Sequence, residues 1–194
     1  MDSTSTAQPA DTREWWSLRR QQATDKDCAM GMYNQSAIEC VRSLLGTEQT
    51  NELYTQAGFK KRIIPLLSYP IAPIMELTLL ASKALEARGL GFEQAIDRIG
   101  QGYVLTYLDS PMGAVLKRAT AGDPWRVLMA VPMAYKTTLS YGVRSVERLG
   151  PGEALFTLSS AAIFSFTEPL PPMAKAQLTA ALAREAASGS RREI

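Results

Sequence analysis

The sequence predicts an α+β domain: an N-terminal helical layer, a small antiparallel sheet, and a closing C-terminal helix. Three observations predict it. Apolar side chains recur at helical spacing through residues 34–130. After Pro132 the spacing changes to period two, and Gly150-Pro151-Gly152 marks a reversal between two extended runs. Pro169, Pro171 and Pro172 then precede an Ala- and Leu-rich stretch, Met173 to Ala187, of helical composition.

Residues 1–12 hold few apolar side chains, and residues 1–27 read as a flexible N-terminal arm. Within it, Trp15, Trp16 and Leu18 stand among charges, with Trp15 and Leu18 on one helical face. Such an arm docks either on its own body or on a partner, which makes Trp15 and Trp16 the candidate partner-binding residues. In Asn34 to Leu45, Ala37, Ile38, Val41, Leu44 and Leu45 form an amphipathic face, and Gly46 stops the helix. Thr47 to Ala57 predicts a second helix. Phe59 to Pro70, with Pro65 and Pro70, reads as a connector with apolar anchors.

Ile71 to Arg88 carries the strongest periodicity, through Ile74, Leu77, Ala81, Ala84 and Leu85, and Pro73 fits its first turn. Phe92 to Tyr107 follows, with Gly100 and Gly102 inside. Each glycine costs about 1 kcal/mol relative to Ala, so a close approach by another backbone or a ligand is expected there. Ser110-Pro111 and Asp123-Pro124 each read as an N-cap and first helical residue, opening helices to about Ala119 and to Met129 or Ala130. Tyr135, Thr137, Leu139, Tyr141 and Val143 alternate with polar residues and glycine, as in a half-buried strand. Glu153 to Ser159 is its returning partner, and Ala161 to Phe166 a third extended piece. Residues 28–187 thus form one domain, with 188–194 as a frayed tail.

Composition bounds the function. In 194 residues, 46% are hydrophobic and 21% charged, as in an ordinary globular chain. The 21 basic and 19 acidic residues leave a net charge of +2, too little for a strong non-specific pull on nucleic acid or anionic membrane. Histidine is absent from the sequence, which removes imidazole bases, histidine-ligated metals and Ser-His-Asp triads. Cys28 and Cys40 form no C-x-x-C pair and are too few for a zinc site, so free thiols in a reducing cytoplasm are expected. Met1 to Asp11 has no secretory character. Ile71 to Leu80, the most apolar stretch, is far short of the ~20 residues of a membrane span. A cytoplasmic location, no membrane span and no nucleic-acid partner follow as expectations.

Motifs of chemistry are sparse. The pairs Gly89-Leu90-Gly91 and Gly100-Gln101-Gly102 follow no strand and lack the third dinucleotide-binding glycine. Glu93 and Asp97, beside Arg98, read as a solvated helix face, Ser159-Ser160 has no nearby base, and Cys40 reads as a packed thiol. Lys60-Lys61-Arg62 reads as a solvated loop or a surface for an acidic partner. Arg126, Lys136, Arg144 and Arg148 read as a polar sheet face able to meet an anion. The 8 methionines suit adaptable pockets as well as core filling. An enzyme is not expected.

The order of segments carries a resemblance. A helix ending in Leu45-Gly46, the Tyr69-Pro70 connector and a long amphipathic helix come first. Arg98-Ile99-Gly100-Gln101-Gly102-Tyr103 and Tyr107-Leu108-Asp109-Ser110-Pro111-Met112-Gly113 follow, then Tyr141-Gly142-Val143-Arg144 and the Gly150-Pro151-Gly152 turn. Over roughly Met30 to Ala183 this resembles a paralogous, functionally uncharacterised family of myxobacterial proteins. More distantly, the helix order and late sheet are similar to the haem-NO-binding and 4-vinyl reductase superfamily, which clasps a small hydrophobic ligand between helices and sheet. The haem-binding members carry a proximal histidine and a Tyr-x-Ser-x-Arg run. This chain has no histidine and reads Tyr141-Gly142-Val143-Arg144-Ser145 at the nearest strand, so the resemblance implies no haem and no other cofactor. The family's usual length implies one more strand after the closing helix. Here the chain reads Ser188-Gly189-Ser190-Arg191-Arg192, leaving a sheet edge for a partner.

The sequence therefore predicts a non-catalytic sensor or adaptor module for signalling. Its apolar pocket, lined by Met75, Leu79, Tyr103, Tyr107, Met112, Leu139 and Tyr141, would take a small apolar ligand or a partner segment. The alternative is an interaction protein without a ligand, assembling as a homodimer or larger complex through the arm or the sheet edge.

Overall fold

A computed structural model describes residues 12–121, 123–150, 153–159 and 183. Among them are seven helices and two small antiparallel two-stranded sheets, the mixed architecture expected. In chain order these are α1 (Thr12–Gln22), β1 (Cys28–Met30), α2 (Gly31–Leu45), α3 (Thr47–Gln56), β2 (Ser68–Pro70), α4 (Ala72–Glu86), α5 (Phe92–Asp109), α6 (Pro111–Thr120), α7 (Pro124–Thr138), β3 (Val143–Gly150) and β4 (Glu153–Ser159). The third extended piece and the closing helix of the sequence reading lie outside the described residues.

The apolar stripes of α2, α4 and α5 meet in the main core, where Leu77, Ile96 and Ile99 are 0% exposed. Burying each such side chain stabilises the fold by about 1.5–3 kcal/mol. Gly46, at φ 88°, ends α2 in the left-handed region that suits glycine. Gly102 of α5 sits against Cys40 of α2: a Cβ at this position would lie 2.6 Å from the Cys40 Sγ. The expected close approach is thus a thiol on a neighbouring helix. Ser110 caps α6, its Oγ accepting from the Gly113 N–H at 3.2 Å, and Asp123 caps α7, its Oδ1 accepting from Trp125 N–H at 2.8 Å.

The sequence reading needs correcting in three places. Residues 135–138 are the last turn of α7, and the strand begins at Val143. Pro132 lies inside the helix instead of ending it. The threonines that suggested alternation are held as helix residues: Thr137 and Thr138 both donate their hydroxyls to Ala134 O at 2.8 Å. Second, the connector 59–70 and the first residues of the domain, 28–30, each contribute a strand. Cys28–Met30 pairs antiparallel with Ser68–Pro70, and Leu139 bridges to Ala29 on the other side of β1. Ser140 completes that seam. Its N–H donates to Cys28 O at 2.9 Å, and its Oγ accepts from Cys28 N–H at 2.8 Å.

Third, the arm read as flexible carries α1, docked on the body, which is one of the two places expected for it. α1 packs on α4, with Arg13 paired to Glu86 and Arg20 to Glu76, so the two helices run antiparallel. The Trp16 indole N–H donates to Met75 O at 3.2 Å, and the side chain is 7% exposed. Trp16 therefore belongs to this chain's own core, where a partner cannot reach its ring.

The hairpin β3–β4 folds back along α7. Arg144 and Val146 are half-buried and stand across from Leu158 and Phe156 in the register, and Arg148, exposed, across from Ala154. Arg144 lies 4.6 Å from the Tyr135 ring centre and Arg148 4.5 Å from that of Trp125. Ten helical residues and four strand residues span similar lengths, roughly 15 Å and 13 Å. Two cation–π contacts thus clamp the strand antiparallel to the helix.

Candidate functional site: an apolar pocket walled by tyrosines

On α7, Val127, Val131, Ala134, Tyr135 and Thr138 recur at intervals of three and four residues and so share one face. Opposite them stand Tyr103, Val104, Tyr107 and Leu108 of α5 and Leu116 of α6, with Tyr33 of α2 closing one side. These residues enclose a pocket of about 80 Å³. Among the described residues, no ionised side chain lines it. Beneath it, Leu108 and Val127 form a small cluster of their own, with Val104 and Leu116 packed against them.

The phenols dominate the polar chemistry. Tyr33 and Tyr103 have ring centres 4.5 Å apart at 52°. Burial raises the Tyr103 hydroxyl well above its ordinary range, and the nearby Tyr33 adds to the shift. Burial also raises Tyr107 and Tyr135; at Tyr135 the Arg144 guanidinium opposes the shift. These hydroxyls stay protonated through the neutral range and offer hydrogen bonds without charge. The Tyr103 Oη is buried, with the Tyr33 side chain as its hydrogen-bonding neighbour. Thr138 donates to Ala134 O.

Of the seven candidate ligand-binding residues, Tyr103 and Tyr107 line this pocket. Met75 and Leu79 are buried on α4 in the main core, away from it. Leu139 and Tyr141 are buried just beyond the end of α7, in that same core, and do not line the pocket. Met112 is 45% exposed and borders a separate, open groove between α2, α3 and the start of α6. Sequence reasoning missed Tyr33, Val131, Ala134 and Tyr135. The signal for the last three was the helical spacing from Val127 onward, hidden by reading Pro132 as a terminator.

The supposed basic face is differently employed. Arg144 rests on Tyr135 and Tyr141, donating from Nη1 to Tyr141 O at 2.8 Å and Gly142 O at 3.1 Å. Arg148 rests on Trp125, and the exposed Arg126 pairs with Asp123. Cys28 and Cys40 are both free thiols, and Cys40, buried against α5, is pushed up to about 12 by that burial. Asp97 accepts from the Gln101 amide on the exposed face of α5.

The sequence pattern of one family, described as Protein of unknown function (DUF2378), matches residues 22–191. The chain belongs to this family. The matched region runs from the end of α1 through every later element, so the whole tyrosine pocket is family territory. Comparison with curated proteins found no match. No helix among the described residues is long and apolar enough to cross a membrane.

Proposed function

We propose that this protein is a non-catalytic sensor or adaptor module that takes a small apolar ligand into the pocket between α5, α6 and α7. The observation that supports this reading is the lining itself: apolar side chains and protonated phenols around open space, in a region otherwise packed. Apolar burial supplies the driving force, and a ligand covering roughly 150 Å² gains about 4 kcal/mol. Occupancy is read out by the hairpin. Tyr135 walls the pocket and also carries Arg144, which holds the start of β3, so displacing the ring moves the strand.

Benzene titrated into the full chain, followed by amide NMR, tests both halves. Saturable shifts are expected across α5–α7 and in the hairpin. Ala134→Phe, which fills the pocket, abolishes all of them. Arg144→Gln keeps the pocket shifts and loses those of the hairpin. Absence of saturable shifts in the wild-type protein overturns the reading. A second reading, an interaction protein without a ligand, draws on Val143, Leu149 and Leu155, apolar hairpin residues about half exposed. Concentration-dependent mass in light scattering, with no benzene response, selects that alternative.

A further inference from the structure

We propose that the connector between α3 and β2 docks on an anionic lipid bilayer, setting its apolar turn among the lipids while the cations before it meet headgroup phosphates. Ile64, Leu66 and Leu67 are 53%, 72% and 51% exposed. They belong to an unbroken exposed run, residues 64–68. The backbone of this turn is nevertheless fixed. The Leu67 N–H donates to Ile64 O at 3.2 Å, and the N–H groups of Gly31 and Met32 donate to Leu67 O at 2.7 Å and Pro65 O at 2.8 Å. Tyr69 Oη accepts from the Ile64 N–H at 2.9 Å, and the Gln35 amide donates to Ile63 O at 2.8 Å. A Cβ on Gly31 would lie 1.9 Å from Ile64 O, so only glycine lets the turn sit this close to α2. Aliphatic side chains presented on a fixed backbone lose little further freedom on docking.

The charge beside the turn decides what covers it. Residues 53–75 contain Lys60, Lys61 and Arg62 and no carboxylate. All three cations are exposed. Arg13, Arg20, Arg42, Lys117 and Arg126 each stand against a carboxylate, whereas Lys60, Lys61 and Arg62 form no ion pair among the described residues. The net charge of +2 belongs to the whole chain, but attraction to a charged surface is local, acting over a Debye length of ~8 Å. These cations precede Ile64 by at most about 14 Å of chain. Nucleic acid would satisfy them and leave the aliphatic turn in water. An anionic bilayer meets both, since its interface takes in apolar side chains to a depth of ~5–10 Å beside its phosphates and asks for no complementary shape. No helix among the described residues is long and apolar enough to cross a membrane, so the contact is peripheral. None of residues 60–68 lines the tyrosine pocket, and the two readings are independent.

Cosedimentation of the full chain with vesicles tests this contact. Binding is expected to vesicles of phosphatidylcholine mixed with phosphatidylglycerol, to weaken as salt rises, and to be far weaker on phosphatidylcholine alone. The double variant Lys60→Gln, Lys61→Gln should lower the affinity about thirtyfold. Leu66→Ser with Leu67→Ser should lower it about tenfold at unchanged charge. In the wild-type protein, spin-labelled lipid in anionic bicelles should broaden the methyl resonances of Ile64, Leu66 and Leu67 first, a measurement that stands even if a variant fails to fold. Failure to sediment with anionic vesicles, or broadening centred on another part of the molecule, overturns the proposal. So does binding that the leucine substitutions leave unchanged. Binding of a polyglutamate peptide as tightly as the vesicles, again insensitive to the leucines, assigns the cations to an acidic protein and overturns the membrane contact.

Discussion

Leu77, Ile96 and Ile99, in the block of α2, α4 and α5, have no exposed surface at all. Where the end of α5 meets α6 and α7, the separate buried cluster among the described residues comprises Leu108 of α5 and Val127 of α7. The block closes its helices until Cys40 fills the place where Gly102 would carry a side chain. The junction of α5, α6 and α7 leaves about 80 Å³ open among equally apolar residues. Similar side chains thus give two outcomes, set by how closely the helices approach. Where approach is complete the chain gains stability, and where it stops short there is room for a ligand.

Alkali breaks the comparison most strongly. The thiol and phenols are neutral when protonated, and burial raises their folded pKa values. The unfolded chain therefore loses these protons first, and their stabilising contribution is complete below about 9 and lost as pH rises. For Cys40 the window runs from 9.0 to about 12, worth on the order of 4 kcal/mol. Tyr103, Tyr135 and Tyr141 extend the loss above 10.0. Chemical denaturation at stepped pH should show stability falling steeply from pH 9. Cys40→Ala should flatten only the block's share, leaving the tyrosine-dependent part. A flat profile to pH 11 would contradict the burial assigned to both regions.

Truncation sharpens the comparison at intermediate scale. Leu77→Ala should cost about 3 kcal/mol, because its surroundings are fully packed. Val127→Ala should cost about 1 kcal/mol, since it enlarges a space that already exists. Equal losses in urea denaturation would show that the two regions are packed alike. The smallest effect runs the other way. Val131→Ile adds one methylene into the pocket and should gain up to ~0.8 kcal/mol, raising Tm by about 2 °C. A fall in Tm would mean that the open space is already taken up by side-chain motion.

Much of the block was legible in the sequence because its signals are local. Gly46, the Pro73 position and the Ser110 and Asp123 caps fix helix ends within one or two residues. The strands of the first sheet were not legible. Cys28–Met30 and Ser68–Pro70 are three residues each, too short to show alternation, and each is specified by a partner forty residues away. The end of α7 was misread because Tyr135, Thr137 and Leu139 alternate as a strand does, although the backbone is still helical until Thr138. That error hid half of the pocket wall. Tyr103 was found because its place on the α5 stripe is local. Tyr33 was not, because its role depends on how α2 lies against α5, which no periodicity records.

The seam between Cys28 and Ser140 carries a consequence for how the molecule is made. Its hydrogen bonds join residues 112 positions apart, so closing it is among the slower steps of folding. During synthesis at about 5–20 residues per second, several seconds pass between the emergence of β1 and that of Leu139. Throughout that interval one side of β1 waits unpaired, and a neighbouring nascent chain offers the same segment in trans. Domain exchange through residues 139–140 is the hazard this topology invites, because the bonds of the Ser140 hydroxyl to Cys28 and Lys26 form as well between two chains as within one.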